Sequence, residues 1–382
     1  MKQKLLLMLF LAAPYAISAQ IVYKTLPSSK LGESRDLKIQ LPRNYEANKD
    51  RHYPVIVVLD GDYLFEPVAG NVDYYSYWED IPEMIVVGVN QATTRDDDGS
   101  YDERTFLPSG KGAAFFEFLG MELLKYINDT YRTAPFKVIV GHDYTANFIN
   151  YYLLKEKPLF QGYINLSPDL APEMQDRLVS SLSRSTNPTW FYMATAGEDI
   201  AFLKEAILSL DSKLKAIDSK NLFYNFDNFP DETHYTLVGN AIPRALAQMF
   251  QVYRPISSQD YNRVLLQTSV SGHDYLTEKY GNIKSLFGVD KQIRVNDFMA
   301  VYNAMDKTRN WNELKNLSKL AAKHYPKTML ATFFDARYEE ETGNPKRAVK
   351  SYMNAYGQEP IGFLTVDFML EKAERLKKDF GL

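Results

Sequence analysis

The chain has no cysteine among its 382 residues. That excludes disulfides, a thiolate nucleophile and a cysteine-borne lipid anchor. It also lacks a long hydrophobic run. The amino-terminal apolar stretch, Leu5 to Ala13, is too short to cross a bilayer, and nothing after it is apolar enough to span one. An excess of one charge is absent too: 44 Lys and Arg stand against 48 Asp and Glu. Such a balance gives no reason to expect nucleic acid or an anionic membrane as a partner. Histidine is scarce. Of the five, His52, His273 and His324 are scattered without ligand spacing. The run Asp96-Asp97-Asp98 reads as a solvated loop without the ligand spacing of a calcium site. No metal and no cofactor are expected.

What is present begins with a targeting pattern. Lys2 and Lys4 precede Leu5 to Ala13, and Ile17-Ser18-Ala19 forms a cleavage site before Gln20. Residues 1–19 are read as a signal peptide. The mature chain is expected to be exported, and the lack of disulfides favours the periplasm. Removing residues 1–19 takes the formal charge from −4 to −6.

The length predicts two domains. Leu37 to Leu41 alternates and reads as an edge strand stopped by Pro42. Pro54 to Leu59, Met84 to Val89, Val138 to Val140, Tyr163 to Leu166, Thr189 to Ala196 and Asn221 to Phe226 read as further strands, most of them continuously apolar. Helical spacing occupies Ala113 to Asn128, Asn147 to Lys155, Ile200 to Ile217 and Leu237 to Tyr253. Alternating strands and helices predict a mostly parallel sheet covered on both faces. Ligands bind such sheets beyond the carboxyl ends of the strands. Asp60, Asp143, Glu198 with Asp199, and His234 all fall there.

After Arg254 the pattern becomes helical throughout. Asn310, Ala321 and Pro326 recur as Asn344, Ala355 and Pro360, each 34 residues later. Ala348, Tyr352, Ala355 and Pro360 match the second helix of a tetratricopeptide unit, with Gly343 at the turn. The expected organisation is a signal peptide over 1–19, an α/β domain over 20–254 and a helical, tetratricopeptide-like domain over 255–382. Two units are too few to stand alone, so they should pack on the α/β domain or on their flanking helices. Helical repeats commonly offer a protein-binding surface, and a protein partner is expected there.

The chemistry concentrates at Gly141-His142-Asp143-Tyr144-Thr145. A strand turning tightly into a helix is the setting of the nucleophile elbow, G-x-S-x-G. Here Asp143 stands in place of the serine and Thr145 in place of the second glycine. Thr145 is β-branched and is expected to crowd the approach of helix to strand.

Residues 21–253 resemble the Putative esterase family of α/β-hydrolases, the group that includes siderophore esterases and esterase D. The resemblance rests on Leu41-Pro42 with Tyr45, on Pro54 to Gly61, and on Arg104 to Pro108. It continues through Phe118 and Glu122 with Tyr131-Arg132, Gly141-His142, and Ser167-Pro168. The helical extension resembles one on members from Bacteroidota. The resemblance implies an α/β-hydrolase fold, a catalytic His at His234 and a triad acid at Glu198 or Asp199. It also implies an oxyanion hole from the amide of Tyr144 and one near Gly61 or Asp62.

Two functions follow. In the first, the serine hydrolase is disarmed. Asp143 has no hydroxyl for an imidazole to activate, and its charge opposes a second one on a developing oxyanion. The chain then serves as a binding or assembly component, with a small ester-like ligand as the residual expectation. In the second, Asp143 is itself a nucleophile on an ester or epoxide, and His234 activates the water that follows. Epoxide hydrolases and haloalkane dehalogenases carry a similar Gly-His-Asp elbow. A structural reading is expected to separate the two. An Asp143–His234 ion pair under a filled pocket favours the first, and an open apolar cleft exposing both side chains favours the second. The bland expectations are that His234 pairs with Asp143 or Glu198, that His142 packs at the elbow, and that Glu198 or Asp199 caps the helix after it.

Overall fold

The computed structural model describes residues 20–267 and 270–382. The expected signal peptide lies outside them.

The sheet contains β1 (Gln20–Pro27), β2 (Ser34–Leu41), β3 (Tyr53–Val58), β4 (Ile85–Val89), β5 (Thr133–His142), β6 (Gly162–Leu166), β7 (Thr189–Glu198) and β8 (Leu222–Thr233). Their spatial order is β1-β2-β4-β3-β5-β6-β7-β8. From β4 to β8 every pairing is parallel, while β1 and β2 are antiparallel. The residues of β3, β4 and β6 are buried throughout, as expected of strands covered on both faces. Two readings change. β2 is not an edge strand, because β1 lies outside it along eight paired residues, Gln20 to Pro27. β8 runs on past Phe226, where the sequence pattern ends it, to Thr233.

One face of the sheet is covered by α1 (Phe65–Tyr77) and later helices. The other carries most of the helices between β4 and β8. These are α2 (Arg95–Asp98), α3 (Gly110–Glu117), α4 (Leu124–Thr130), α5 (Tyr144–Ile149), α6 (Met174–Ser183) and α7 (Ala201–Lys215). A wide turn, Phe118–Leu123, joins α3 to α4, so the single helix expected there is continuous but locally unwound. After β8 comes α8 (Leu237–Met249), with Pro243 inside it. The extension follows as α9 (Ser258–Asp260), α10 (Gly272–Phe287), α11 (Val295–Thr308), α12 (Leu314–His324), α13 (Met329–Glu341), α14 (Pro345–Asn354) and α15 (Val366–Phe380).

The extension shares a core with the sheet. Phe287 at the end of α10 meets Phe136 of β5 at 5.0 Å, Phe250 at 5.1 Å and Trp190 of β7 at 5.5 Å between ring centroids. Gly288 follows with φ +66, and a Cβ there would meet Pro135 Cδ at 2.6 Å. Only glycine reverses the chain so close to the sheet. The 34-residue recurrence falls on two successive helix hairpins. Gly343 makes the turn between α13 and α14 at φ 82, and Arg309, 34 residues earlier, makes the turn after α11 at φ 56.

Candidate functional site

Three neighbouring strands end in strained residues. Asp60 after β3 has φ 52, Asp143 after β5 has φ 59, and Ser167 after β6 has φ 43. None is glycine, so each costs about 1–3 kcal/mol and persists because its surroundings hold it. Hydrogen bonds knit these ends together. Asp143 N donates to Leu166 O at 3.0 Å, Ser167 N to Ala194 O at 2.9 Å, and Asp169 N to Asp143 O at 3.2 Å.

The elbow is tight where the sequence places it. A Cβ on Gly141 would lie 2.5 Å from the carbonyl carbon and oxygen of Thr145. Thr145 does not hold the helix away. Its hydroxyl accepts from His142 N at 2.9 Å and donates to Asp60 Oδ2 at 2.6 Å, so the branched side chain fills the space as a strut. The expected crowding is absent because Gly141 alone takes the close contact.

Asp143 stands at the amino end of α5 with ψ −119. Its carboxylate meets Arg95, not His234: Arg95 Nη1 lies 3.3 Å from Asp143 Oδ2. The same guanidinium donates through Nε to Asp60 Oδ1 at 2.7 Å, and through Nη2 to His142 O at 3.0 Å. Burial works against the charge of Arg95, but the hydrogen bonds and charge of Asp60, with Asp143 contributing less, hold its pKa above the ordinary value. Arg95 is fixed from behind. It opens α2, whose last residue, Asp98, is buried and gripped by both terminal nitrogens of Arg35 at 2.6 and 3.0 Å. Asp98 is thus an anchor, which corrects the reading of the whole Asp96–Asp98 run as solvated.

His234 has a different partner. Its Nδ1 lies 2.8 Å from Asp199 Oδ1. Asp199 is fully enclosed and also accepts from Ser167 Oγ at 2.7 Å and Thr195 Oγ1 at 2.7 Å. Burial alone would raise its pKa, but the bonds from His234, Thr195 and Ser167 hold the carboxyl well below the usual range. The expected pairing of His234 with Asp143 or Glu198 does not occur. Glu198 projects to the surface beside the β7–β8 bulge, and its side chain makes no hydrogen bond among the described residues. Neither acid caps α7 through its side chain in the usual way: Ile200 is the cap residue, and of the amides at the start of α7 Asp199 accepts only that of the adjacent Ile200. Ser167 Oγ also lies 3.1 Å from His234 Nδ1. It sits on the Asp199 side of the ring, where it orients the imidazole and cannot be activated by it.

His142 does more than pack. Its Nε2 lies 3.0 Å from His234 O and its Nδ1 3.0 Å from Tyr63 Oη. A carbonyl only accepts, so Nε2 carries the proton and the tautomer is fixed. Burial, followed by the nearby His234, lowers the His142 pKa and so favours the neutral ring. Asp169, half-buried beside Asp143, is raised by burial first and then by the Asp143 charge.

Of the expected oxyanion donors, Gly61 is excluded because its N–H donates to Val89 O at 2.8 Å. The amides of Tyr144 and Asp62 have no hydrogen-bond partner among the described residues. Around the site stand exposed side chains: Tyr63, Tyr144, Ile200, Phe202 and Tyr235. A cavity of about 750 Å³ lies elsewhere, against Phe136, Thr189 and Trp190 near the opposite ends of the strands. Neither arrangement expected to separate the two functions is therefore present. Asp143 is ion-paired, but to Arg95.

Asp143, Asp199, His234, Tyr144 and Asp62 are brought to this end of the sheet, and Glu198 and the Gly61 amide are set aside. Sequence reasoning passed over Arg95 as a loop residue. The signal for it was a cation in the loop after β4, at the end of the sheet that already gathered Asp60 and Asp143.

The family model described as Putative esterase matches residues 28–273. No curated protein matches the chain. Among solved structures, an uncharacterised protein from Capnocytophaga ochracea is 30% identical with a TM-score of 0.83, covering 94% of this chain and 100% of that one. An IroE-like serine hydrolase from Shewanella oneidensis is 21% identical with a TM-score of 0.59, covering 80% of this chain and 99% of that one. The BES protein from Bacillus cereus is 19% identical with a TM-score of 0.53, covering 65% of this chain and 97% of that one.

Proposed function

The chain belongs to the Putative esterase family of α/β-hydrolases, and from that premise we propose that it is a member without serine-esterase turnover, exported to the periplasm, that works as a binding or assembly component. The observation that carries this reading is the pairing of Asp143 with Arg95 at the elbow. An acyl-transfer site needs a hydroxyl beside the imidazole and donors left free for an oxyanion. Here a carboxylate occupies that place, and its charge is answered by a guanidinium fixed on Asp60. The His234–Asp199 dyad has no hydroxyl to activate, since Ser167 lies on its other side. Export rests on the pattern of residues 1–19. In addition, no helix among the described residues is long and apolar enough to cross a membrane. The tetratricopeptide-like hairpins would supply a protein-binding surface, and the rim of Tyr63, Tyr144, Phe202 and Tyr235 a seat for a small ester-like ligand.

A second reading has a specific observation in its favour: the elbow keeps its strained backbone and the dyad keeps its geometry. In it, an Asp143 oxygen attacks an epoxide carbon, the C–O bond opens to an alkoxide that takes a proton, and water activated by His234 then cleaves the ester formed. Arg95 argues against this, because an ion-paired carboxylate is the weaker nucleophile.

The test is hydrolysis of a short p-nitrophenyl ester and of a small epoxide by the mature protein and three variants. Wild type is expected to be inert, and Asp143→Ser to gain esterase activity of about 100-fold or more over it that Asp143→Ser/His234→Ala loses. Turnover of either substrate by wild type that is abolished in Asp143→Asn would replace this reading with the second.

A further inference from the structure

The first strand leaves half of its backbone unmet. β1 pairs with β2 alone, from Gln20 opposite Leu41 to Pro27 opposite Ser34, and stands at the margin of the sheet. In an antiparallel pair, successive residues direct their main-chain groups to opposite sides. Asp36 O accepts from Asn90 N, so Asp36 turns its groups away from β1. Thr25 lies opposite Asp36, and its own N–H and C=O therefore point out of the sheet. Tyr23 and Ile21 continue the alternation. Among the described residues nothing beyond β2 bonds to this edge.

The edge is held in place, and its surroundings are apolar. Glu122 accepts from Ser28 Oγ, from Ser29 N at 3.0 Å and from Lys30 N at 3.2 Å, which ties the turn after β1 to the helical layer. Ile21 and Tyr23 are 41% and 74% exposed. Both lie on the face that α1 covers. Their partners on β2, Gln40 and Lys38, reach Ala69 O at 3.0 Å and Glu66 Oε1 at 2.6 Å. Beyond them α1 exposes Tyr74 and Tyr77. The acids of this flank are balanced, Glu66 by Lys38 and Asp73 by Arg43, at 2.6 Å each.

A row of outward N–H and C=O groups is met in series by another β-strand. A second copy of β1 fits it best. Set antiparallel on a two-fold axis through Tyr23, it places Ile21 opposite the partner's Thr25 and Tyr23 opposite the partner's Tyr23. Each such pair exchanges two hydrogen bonds, all from groups that already point outward. Pro27, which has no N–H, falls outside the paired residues. Lys24, the only charged side chain of β1, faces the partner's Val22, so like charges do not oppose. The flank beside the strand is aromatic and charge-balanced, hence complementary to itself, as a two-fold contact requires. β1 is also ordered in both copies beforehand, which spares the entropy that a free peptide loses on becoming a strand. The other margin is unsuited. β8 holds Asp227, Pro230, Asp231 and Glu232, so a second copy would bring acid towards acid and lack a donor.

We propose that β1 is the interface of a homodimer, in which the β1 strands of two copies pair antiparallel about Tyr23 and join two eight-stranded sheets into one. β1 runs parallel to β3 and β5, and the partner's strands run the opposite way. The two Asp143 sites therefore open at opposite ends of the joined sheet, and the dimer is independent of the function proposed for them.

The experiment uses the whole mature chain. Light scattering at micromolar concentration should give twice the chain mass. Tyr23→Asp changes an exposed side chain, should keep the wild-type circular dichroism, and should weaken association tenfold or more. Asp143→Asn and Tyr356→Asp, the latter on the extension, should stay dimeric. The absence of native cysteine makes the register readable. Opposed Tyr23 residues have Cα atoms about 5.5 Å apart, inside the disulfide range of about 4.4–6.8 Å. Tyr23→Cys should thus form a linked dimer on mild oxidation. Ile21→Cys alone should not, since its two copies lie about 13 Å apart along the strands, whereas Ile21→Cys mixed with Thr25→Cys should. Wild type that runs as a monomer overturns the proposal and leaves the edge to a strand of another protein. A dimer that folded Tyr23→Asp leaves intact, or Ile21→Cys linking as readily as Tyr23→Cys, overturns it as well.

Discussion

Arg95 holds Asp60 and Asp143 with one guanidinium, at 2.7 Å and 3.3 Å. The two contacts are unequal. Asp60 is 1% exposed and anchored, whereas the Asp143 side chain is 19% exposed at the longer distance. Removing the cation should therefore cost far more than removing the second anion. Arg95→Met leaves Asp60 buried with only the Thr145 hydroxyl and a Tyr63 hydroxyl shared with His142 to bond it, and should destabilise by about 2–3 kcal/mol. Asp143→Asn should cost less than about 1 kcal/mol. Urea unfolding of the two variants measures both, and equal losses would mean that Asp143 is the principal partner.

The backbone at Asp143 gives a second prediction. With φ 59 and ψ −119, it occupies a region that glycine reaches freely and other residues do not. Asp143→Gly and Asp143→Ala both remove the carboxylate, but only the first relieves the strain. The glycine variant should be the more stable by about 1–2 kcal/mol. Alanine equal to or above glycine in chemical denaturation would show that the elbow is not strained.

The acid limb of stability tests the dyad. Asp199 has its carboxyl held low in the folded state. A depressed carboxyl contributes stability that is fully present above its unfolded pKa of about 3.9 and is lost as pH falls through that value towards the folded one. Wild type should thus lose stability steeply below about pH 4, and Asp199→Asn should start lower at neutrality and show a flatter acid limb. Asp169 has the opposite sign. Its carboxyl is raised by burial and by Asp143, so its ionised form opposes folding near neutrality. Asp169→Asn should slightly raise the Tm at pH 7, with the gain fading as pH falls. Thermal unfolding across pH reads both, and parallel curves for all three proteins would contradict the assignments.

Much of this arrangement was legible because it rests on local pattern. Buried parallel strands write continuous apolar runs, and so Val55 to Leu59 and Ile85 to Val89 identify themselves. The elbow shows in Gly141 because close backbone approach tolerates no Cβ. What stayed hidden depends on long-range contact. β1 pairs only with β2 at the margin, and only Val22 and Leu26 of it pack, partly buried, against the core, too few to mark a strand. The choice of Asp199 over Glu198 is made by the β7–β8 bulge, which turns Glu198 outward. Arg95 reaches Asp143 across 48 residues, and its position depends on Arg35 gripping Asp98 from yet another strand. No local spacing encodes that chain of contacts.

The docking of the extension makes the last prediction. Phe287 is fully buried among Phe136, Trp190 and Phe250, two of which are sheet residues. A ring shared by both parts of the chain ties their unfolding together, because neither can open without exposing it. Thermal unfolding should therefore be a single transition although the sequence reads as two domains. Phe287→Ala removes a ring from the shared core and should destabilise by about 3–5 kcal/mol. If the two parts are held together mainly there, the variant should split the transition, with the helical part melting first and the sheet following. Lys291 and Arg294 also reach Glu79 from the extension, so a Lys291→Met/Arg294→Met pair should weaken the junction less than the loss of the ring. Two separate transitions already present in wild type would show instead that the shared core does not couple the domains.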